Sequence, residues 1–357
     1  MAAQYPYLMW EDVAEGHTLP GFAHELSLLR LLAFVRATGL YDPVHSDPEF
    51  ARTVGAKDAF ISTAHLAGLF SRLVTDWSGP ASQLRRLTFS MASQMLRGDV
   101  LRFSGRVACK YRGPDGAYLV DLEDLAVTTD GAGRAAQATA TLEMPSREGA
   151  MPAVGRTRED QSAAVPADDT PDFASAMMTA SKAGKGQPGR PLTADEVHLW
   201  CEALEDWNPM YWDNAYARAT PFGGIIAPHA STFYGAGSST DIGIGYAKPG
   251  AKVPVAITQG LAGQALTTAL RRNVAAEGVP FVPPGFPDVV VTQAEFAFYA
   301  PHRIGDALHS TLRLTACSPL RKTRLGEGHF LTVENALSNR QGQLVKTLTT
   351  TLLFYRT

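Results

Sequence analysis

Cysteine is scarce in this sequence, and long apolar runs are missing altogether. The three cysteines, Cys109, Cys201 and Cys317, are odd in number and far apart. That excludes a disulfide framework and matches no zinc-ligand spacing, so they read as buried thiols of a reducing compartment. No apolar stretch reaches the ~18 residues that a membrane span needs, and residues Met1 to Tyr7 hold neither a basic nor an apolar leader segment. The formal charge is −3 and no basic stripe is interleaved with aromatics, so nucleic acid is excluded as a partner. Dinucleotide-binding, P-loop, Gly-x-Ser-x-Gly and His-Glu-x-x-His patterns are also missing. Nucleotide, serine-hydrolase and metalloprotease chemistry therefore have no support. The expectation is a soluble, cytoplasmic protein, off the membrane, with no metal and no cofactor.

What is present is material for a core, and a repeat. Of the 357 residues 45% are hydrophobic and 19% charged, enough for one large domain or two ordinary ones. The stretch Tyr41-Asp42-Pro43-Val44-His45-Ser46-Asp47, closed by Phe50-Ala51-Arg52, returns as Trp207-Asn208-Pro209-Met210-Tyr211-Trp212-Asp213, closed by Tyr216-Ala217-Arg218. Tyr211 follows His45 by 166 residues, and Arg218 follows Arg52 by the same 166. Such an internal duplication governs every later inference about fold. Gly98-Asp99 returns as Gly305-Asp306 at an offset of 207, so the second half carries about 41 extra residues. They fall between its helix and the strand at Val289, near residues 240–287, where a long loop serves as a pocket wall or as a surface excursion.

Local patterning fills in the halves. Leu28 to Arg36 is apolar and helical, stopped near Gly39. Asp47 caps a short helix from Pro48 to about Val54. From Phe60 to Trp77, Leu66, Leu69, Phe70, Leu73 and Trp77 make one apolar stripe wide enough to be buried by a sheet. After Gly79-Pro80 the period changes to two, in strands at Arg86–Met91, Val100–Cys109, Tyr118–Glu123 and Ala136–Leu142 separated by Gly- and Asp-rich turns. Helices followed by an antiparallel meander make an α+β domain, one helix wrapped by a curved sheet. Residues 146–190 read as a linker with an edge strand in its later part. Thr193 caps a helix running to about Leu204, just before the second motif, and Phe222 to Pro228 leads into a counterpart of the Phe60 helix.

These motifs resemble the MaoC-like (R)-specific enoyl-CoA hydratase/dehydratase family in its double-hotdog form, two tandem hotdog domains forming a pseudo-dimer on one chain. Residues 1–145 look like the MaoC hydratase hotdog. Residues 191–357 look like the FAS1-like dehydratase hotdog, on Asn208 to Asp213, Gly224 to Pro228 and Leu325 to Phe330. The resemblance implies an acyl thioester, on coenzyme A or acyl-carrier protein, as substrate partner, reversible addition or elimination of water, and an Asp and a His acting together. It also allows a homodimer of double hotdogs. An α-proton beside a thioester needs a placed base, and the developing enolate needs oriented donors.

The pair is split between the copies. His45 stands at the family's histidine position, but Leu40 occupies the aspartate position and Asp42 the asparagine position. In the second copy Asp206 and Asn208 match while Tyr211 replaces the histidine. The residues expected to be catalytic are His45 with Asp42, three residues apart on one loop, the carboxylate orienting the imidazole and raising its basicity. Asp206, Asn208 and Tyr211 are read as a second-site relic, with Tyr211 and Trp212 filling the vacated space. Ser62, Thr63 and His65, at the start of the central helix, form the thioester or oxyanion region, where free amides and the helix dipole favour an anion. Asp47 and Asp213 are read as helix caps. Two readings from other classes stay open: a catalytically degenerate protein that binds an acyl thioester as a subunit, and a hotdog thioesterase. No carboxylate lies between Phe60 and Thr75, which disfavours hydrolysis.

Overall fold

Most of the helices begin where a short polar side chain closes the first turn, and they bury the face that their sequence makes apolar. The computed structural model describes residues 5–40, 42–53, 55–158, 170–181, 189–233, 283, 285–286 and 288–356. Strand β1 (Ala23–Glu25) precedes helix α1 (Leu28–Thr38), which Ser27 caps and Gly39 ends in the left-handed conformation at φ 66°. Helices α2 (Pro48–Thr53) and α3 (Thr63–Ser78) follow, then strands β2 (Gln83–Met91), β3 (Val100–Arg112), β4 (Tyr118–Thr129) and β5 (Gly133–Glu143). Next come α4 (Asp172–Ser181), α5 (Ala194–Leu204), α6 (Pro209–Trp212) and α7 (Asn214–Ala219). The chain ends with β6 (Asp288–Phe298), β7 (His309–Cys317), β8 (Arg321–Thr323), β9 (Gly326–Ser338) and β10 (Leu344–Arg356). Among the described residues no helix is long and apolar enough to cross a membrane.

The described residues fall into two compact units. The first draws on Met1–Arg156, Pro191–Phe233 and Phe296–Asp306. Its strands lie in the order β1-β3-β4-β5-β2, with antiparallel neighbours. Helix α3 starts at Thr63 rather than Phe60, because the Ser62 hydroxyl accepts from the His65 N–H while Phe60 bridges to Leu96. All five stripe residues, Leu66, Leu69, Phe70, Leu73 and Trp77, are buried, and the Phe70 ring meets Phe103 edge-on at 5.5 Å. Along β3 every second residue is buried through Leu101, Phe103 and Val107, the mark of a sheet with one wet face. Helix α5 packs with α1 and α3 in this unit, its capping box closed by Thr193 and Glu196.

The meander expectation needs correcting at β2, which pairs with β5 and not with β3. The connection from β2 is tied elsewhere: the Ile61 N–H donates to the Met95 carbonyl and the Arg97 N–H to that of Ala59. Residues 92–99 therefore run past the entry to α3 and deliver β3 to the far side of the β4–β5 hairpin. Strand β1, which the sequence pattern did not indicate, then covers the outer edge of β3.

The second unit draws on Thr157–Arg190, Tyr234–Glu295 and Ala307–Thr357. Its strand order is β6-β10-β9-β7, with β8 on β9. This repeats the order β2-β5-β4-β3 of the first unit, strand for strand. Part of the stretch read as linker is the helix α4, whose Ala174 and Met178 are buried among Leu312, Leu331, Val333 and Phe354. Most of the 41-residue insertion, and any counterpart of α3, lie outside the described residues.

Candidate active site

The first motif copy folds as a capped 3-10 turn, Pro43–His45. Asp42 Oδ1 accepts from the Val44 N–H at 3.2 Å, and Pro43 supplies the fixed φ of the first helical position. The turn presents His45, which is 6% exposed, to the segment leading into α3. There the two strands of chain are stitched together: the Phe60 N–H donates to the Val44 carbonyl, and His45 Nδ1 lies 2.8 Å from the Phe60 carbonyl. A carbonyl only accepts, so Nδ1 carries the proton and the neutral ring keeps its lone pair on Nε2. Burial lowers the His45 pKa to about 4, against a smaller raising effect of the Phe60 carbonyl. The orienting acceptor is thus a main-chain oxygen, and the oxygen of Asp42 seen to act holds the turn.

The second copy makes the same turn. Asn208 caps α6, its Oδ1 accepting from the Met210 N–H at 3.1 Å, with Pro209 at the first position. Asp206 Oδ1 accepts from the Asn208 N–H at 3.1 Å. Burial raises the Asp206 pKa to about 7, helped by the nearby Asp76 and opposed by the Asn208 amide and Arg72. Tyr211 is buried where the first copy has its histidine, and burial holds its phenol well above the ordinary range. Trp212 donates through its indole N–H to the Asp206 carbonyl and stacks on His198 at 4.6 Å. Asp47 and Asp213 cap α2 and α7 as expected, each through Oδ1 to two successive N–H groups.

At the entrance to α3, Ser62 and Thr63 supply the cap and the first helical residue. The first N–H groups of a helix have no acceptor within it, so the amides of Thr63 and Ala64 are donors that the helix itself leaves unused. His65, 1% exposed, is stacked on Phe34 at 4.2 Å, and burial, then His24 and His45, hold its pKa well below the ordinary value. His24, which the sequence reading passed over, is fully buried on β1 and meets His65 edge-on at 5.6 Å. Its Nδ1 accepts from Arg30 Nη1 at 2.8 Å, and Arg30 is held in turn by Glu205 at 2.5 Å. A histidine on a three-residue strand has no sequence signature, and only the α1–β1 contact reveals it. Among the described residues no three His, Cys, Asp or Glu side chains gather as a metal site.

Comparison with known proteins bears on the family and the fold. Residues 186–348 match the family model described as the FAS1-like, dehydratase domain region. The chain is 32% identical over 87 residues, 23% of its length and 67% of the other's, to the "3-oxo-4,17-pregnadiene-20-carboxyl-CoA hydratase beta subunit" of Mycobacterium tuberculosis. It is also 32% identical over 174 residues to the "Probable enoyl-CoA hydratase alpha subunit" of Thermomonospora curvata, covering 48% of each chain, so it spans about half the length of that relative. In fold it resembles a MaoC domain protein described as a dehydratase from Chloroflexus aurantiacus J-10-fl, with TM-score 0.63, 13% identity and 100% of both chains covered. A M. tuberculosis protein described as having a double hotdog fold aligns at TM-score 0.53 and 14% identity, over 98% of each chain. The chain belongs to the MaoC-like hydratase/dehydratase family, and its fold is the double hotdog.

Proposed function

We propose that the protein is a hydratase/dehydratase acting on an acyl-coenzyme A thioester, adding water reversibly across an enoyl double bond. The observation that carries this reading is His45, whose Nδ1–H is fixed on the Phe60 carbonyl so that Nε2 offers its lone pair. The relatives from T. curvata and M. tuberculosis that support the substrate class are both named as hydratases of CoA thioesters. Nε2 takes a proton from water as the oxygen bonds to the β-carbon. The π electrons move toward the thioester oxygen, which the free amides at the start of α3 stabilise as an enolate. The proton held on Nε2 then passes to the α-carbon, so one group serves as base and then acid, and dehydration is the reverse. A depressed pKa keeps His45 neutral and ready to accept at neutral pH.

We assign Asp42 to holding the turn and Ser62, Thr63 and His65 to the thioester end of the site. The division into hotdogs at residues 1–145 and 191–357 about an intervening segment belongs to the same proposal. So does the reading of Asp206, Asn208 and Tyr211 as a site that has lost its chemistry. A second reading, an acyl-thioester-binding subunit without activity, is favoured by one observation: the ring of His45 is oriented by a carbonyl instead of a carboxylate. Both relatives are subunits by name, which fits assembly with a second hotdog chain. The decisive measurement is the loss of enoyl-CoA absorbance in the ultraviolet. Wild type is expected to hydrate at least one chain class, and His45→Ala to lose roughly 10²–10⁴-fold in rate, the usual worth of a general acid–base group. Hydration of no enoyl thioester would sink the enzyme reading and leave the binding one.

A further inference from the structure

Several side-chain polar atoms of the first unit are buried without a hydrogen-bond partner among the described residues, and three of them, His24 Nε2, His65 Nε2 and Trp200 Nε1, lie on one row of touching rings. His24 meets His65 at 5.6 Å between ring centres, His65 stacks on Phe34 at 4.2 Å, and Phe34 touches Trp200 at 4.9 Å. Folded proteins leave few such atoms, since each orphan forfeits its hydration. Two of these three belong to rings in direct contact, His24 and His65, and the third lies one ring further on, across Phe34.

The chemistry of the cluster is defined. Arginine only donates, so the contact from Arg30 makes His24 Nδ1 the acceptor and puts the ring proton on Nε2. Burial, with Arg30 and Arg72 nearby, keeps His24 uncharged, its pKa lowered to about 3. Trp200 Nε1 is a donor by nature. His65 is also held neutral, and its Nε2 is free to give or take a proton in a hydrogen bond. Among the described residues the cation in contact with the group is Arg30, and it is engaged by Glu205. The cluster thus offers neutral donors and one adaptable nitrogen, which suits an uncharged oxygen and gives an anion no counter-charge. His65 lies three residues into α3 from Ser62, about 4.5 Å along the axis at 1.5 Å per residue. Of the residues assigned to the thioester end, His65 is thus the deepest, beyond the amides of Thr63 and Ala64.

We propose that His24 and His65, with Trp200 beside them, form an uncharged receptor for an oxygen on the acyl group, a ketone or hydroxyl beyond the reacting carbons. This rests on the acyl-CoA reading above and narrows it: the substrate is an oxygenated acyl chain and not a plain fatty one. A ketone accepts from His24 and from a His65 with its proton on Nε2. A hydroxyl accepts from His24 and donates to the other tautomer of His65.

The test is calorimetric and needs no turnover. Octanoyl-CoA is compared with its keto and hydroxy derivatives, the positional isomers of each substituted at successive carbons beyond the reacting pair, on wild type, His24→Leu and His65→Phe. At least one oxygenated isomer is expected to bind wild type about tenfold or more tighter than octanoyl-CoA, on the scale of one or two well-made hydrogen bonds. That ratio should fall to within about twofold in both variants, and the ketone and hydroxyl series identify which oxygen is read. Thermal melts without ligand supply the second readout. His65→Phe keeps the stack on Phe34 and removes an orphan nitrogen, so it should melt no lower than wild type; it carries the test alone should His24→Leu not fold. Three results overturn the receptor: equal binding of octanoyl-CoA and every oxygenated isomer, an undiminished ratio in the variants, or a clearly lower melt for His65→Phe, the sign of a structural water. Failure of wild type to bind any acyl-CoA overturns the acyl-CoA reading itself.

Discussion

Asp42 and Asn208 do the same work with different charge. Each sits 166 residues from the other, precedes a proline and accepts from the N–H two residues on. A capping oxygen needs a lone pair and not a negative charge. Asp42→Asn is therefore expected to change stability by less than about 0.5 kcal/mol, while Asp42→Ala loses the cap and costs roughly 1 kcal/mol. Denaturant unfolding measures both. If hydration falls only modestly in Asp42→Asn, the carboxylate takes no proton in the reaction. A loss as large as that of His45→Ala would return Asp42 to the chemistry.

At the scale of elements, the contact of α3 with α5 is set by Gly68. A Cβ there would stand 2.5 Å from Leu204 Cδ1 and 3.0 Å from Trp200 Cζ2, so the two helices approach as closely as they do because the side chain is missing. Alanine would gain up to ~1 kcal/mol of helix propensity and lose more to overpacking, typically ~1–3 kcal/mol. Gly68→Ala should accordingly lower the midpoint of thermal unfolding; a raised midpoint would mean that α5 can move aside at no cost. The helices themselves were legible in the sequence. The stripe from Leu66 to Trp77, the stop at Gly39 and the Thr193 cap are local patterns, and local patterns dictate local structure. What stayed hidden was non-local. Nothing in residues 83–91 says that their partner is β5, since that choice is made by the loop that ties Met95 to Ile61. The orienting carbonyl of Phe60 was hidden for a related reason, because every residue has a carbonyl. His45 could be picked out by its position in a repeat, but His24 and Trp200 could not, and α4 was masked by an Ala- and Ser-rich composition that reads as loop.

For the whole molecule these buried groups shape stability against pH in two opposite ways. His45 has a folded pKa of about 4 and His24 of about 3, both below the ordinary 6.5. Their neutral forms suit the fold, so their contribution is complete above about 6.5 and is lost as the pH falls toward 4 and 3. Asp206 runs the other way: its folded pKa of about 7 lies above the ordinary 3.8. Its protonated form suits the fold, so stability is full below about 3.8 and declines as the pH rises to about 7, by an amount on the order of a few kcal/mol. Asp206→Asn keeps an oxygen for the Asn208 N–H and removes the charge. It should raise the melting temperature at pH 8 by several degrees and change little at pH 4, in melts run across the range. An equal shift at both ends would place the Asp206 carboxyl in contact with solvent.

The strand order β2-β5-β4-β3 and its recurrence as β6-β10-β9-β7 bear on descent as well as on architecture. In both halves the capped Asx-Pro turn survived while the ring it presents diverged, histidine in one copy and tyrosine in the other. The turn is held by its own capping hydrogen bonds, which stand whether or not a reaction occurs there. The ring takes no part in those bonds, so folding of the turn is compatible with either residue there. A chain built this way can exchange that ring without unfolding, and a single codon change at Tyr211 would set a histidine on the second turn.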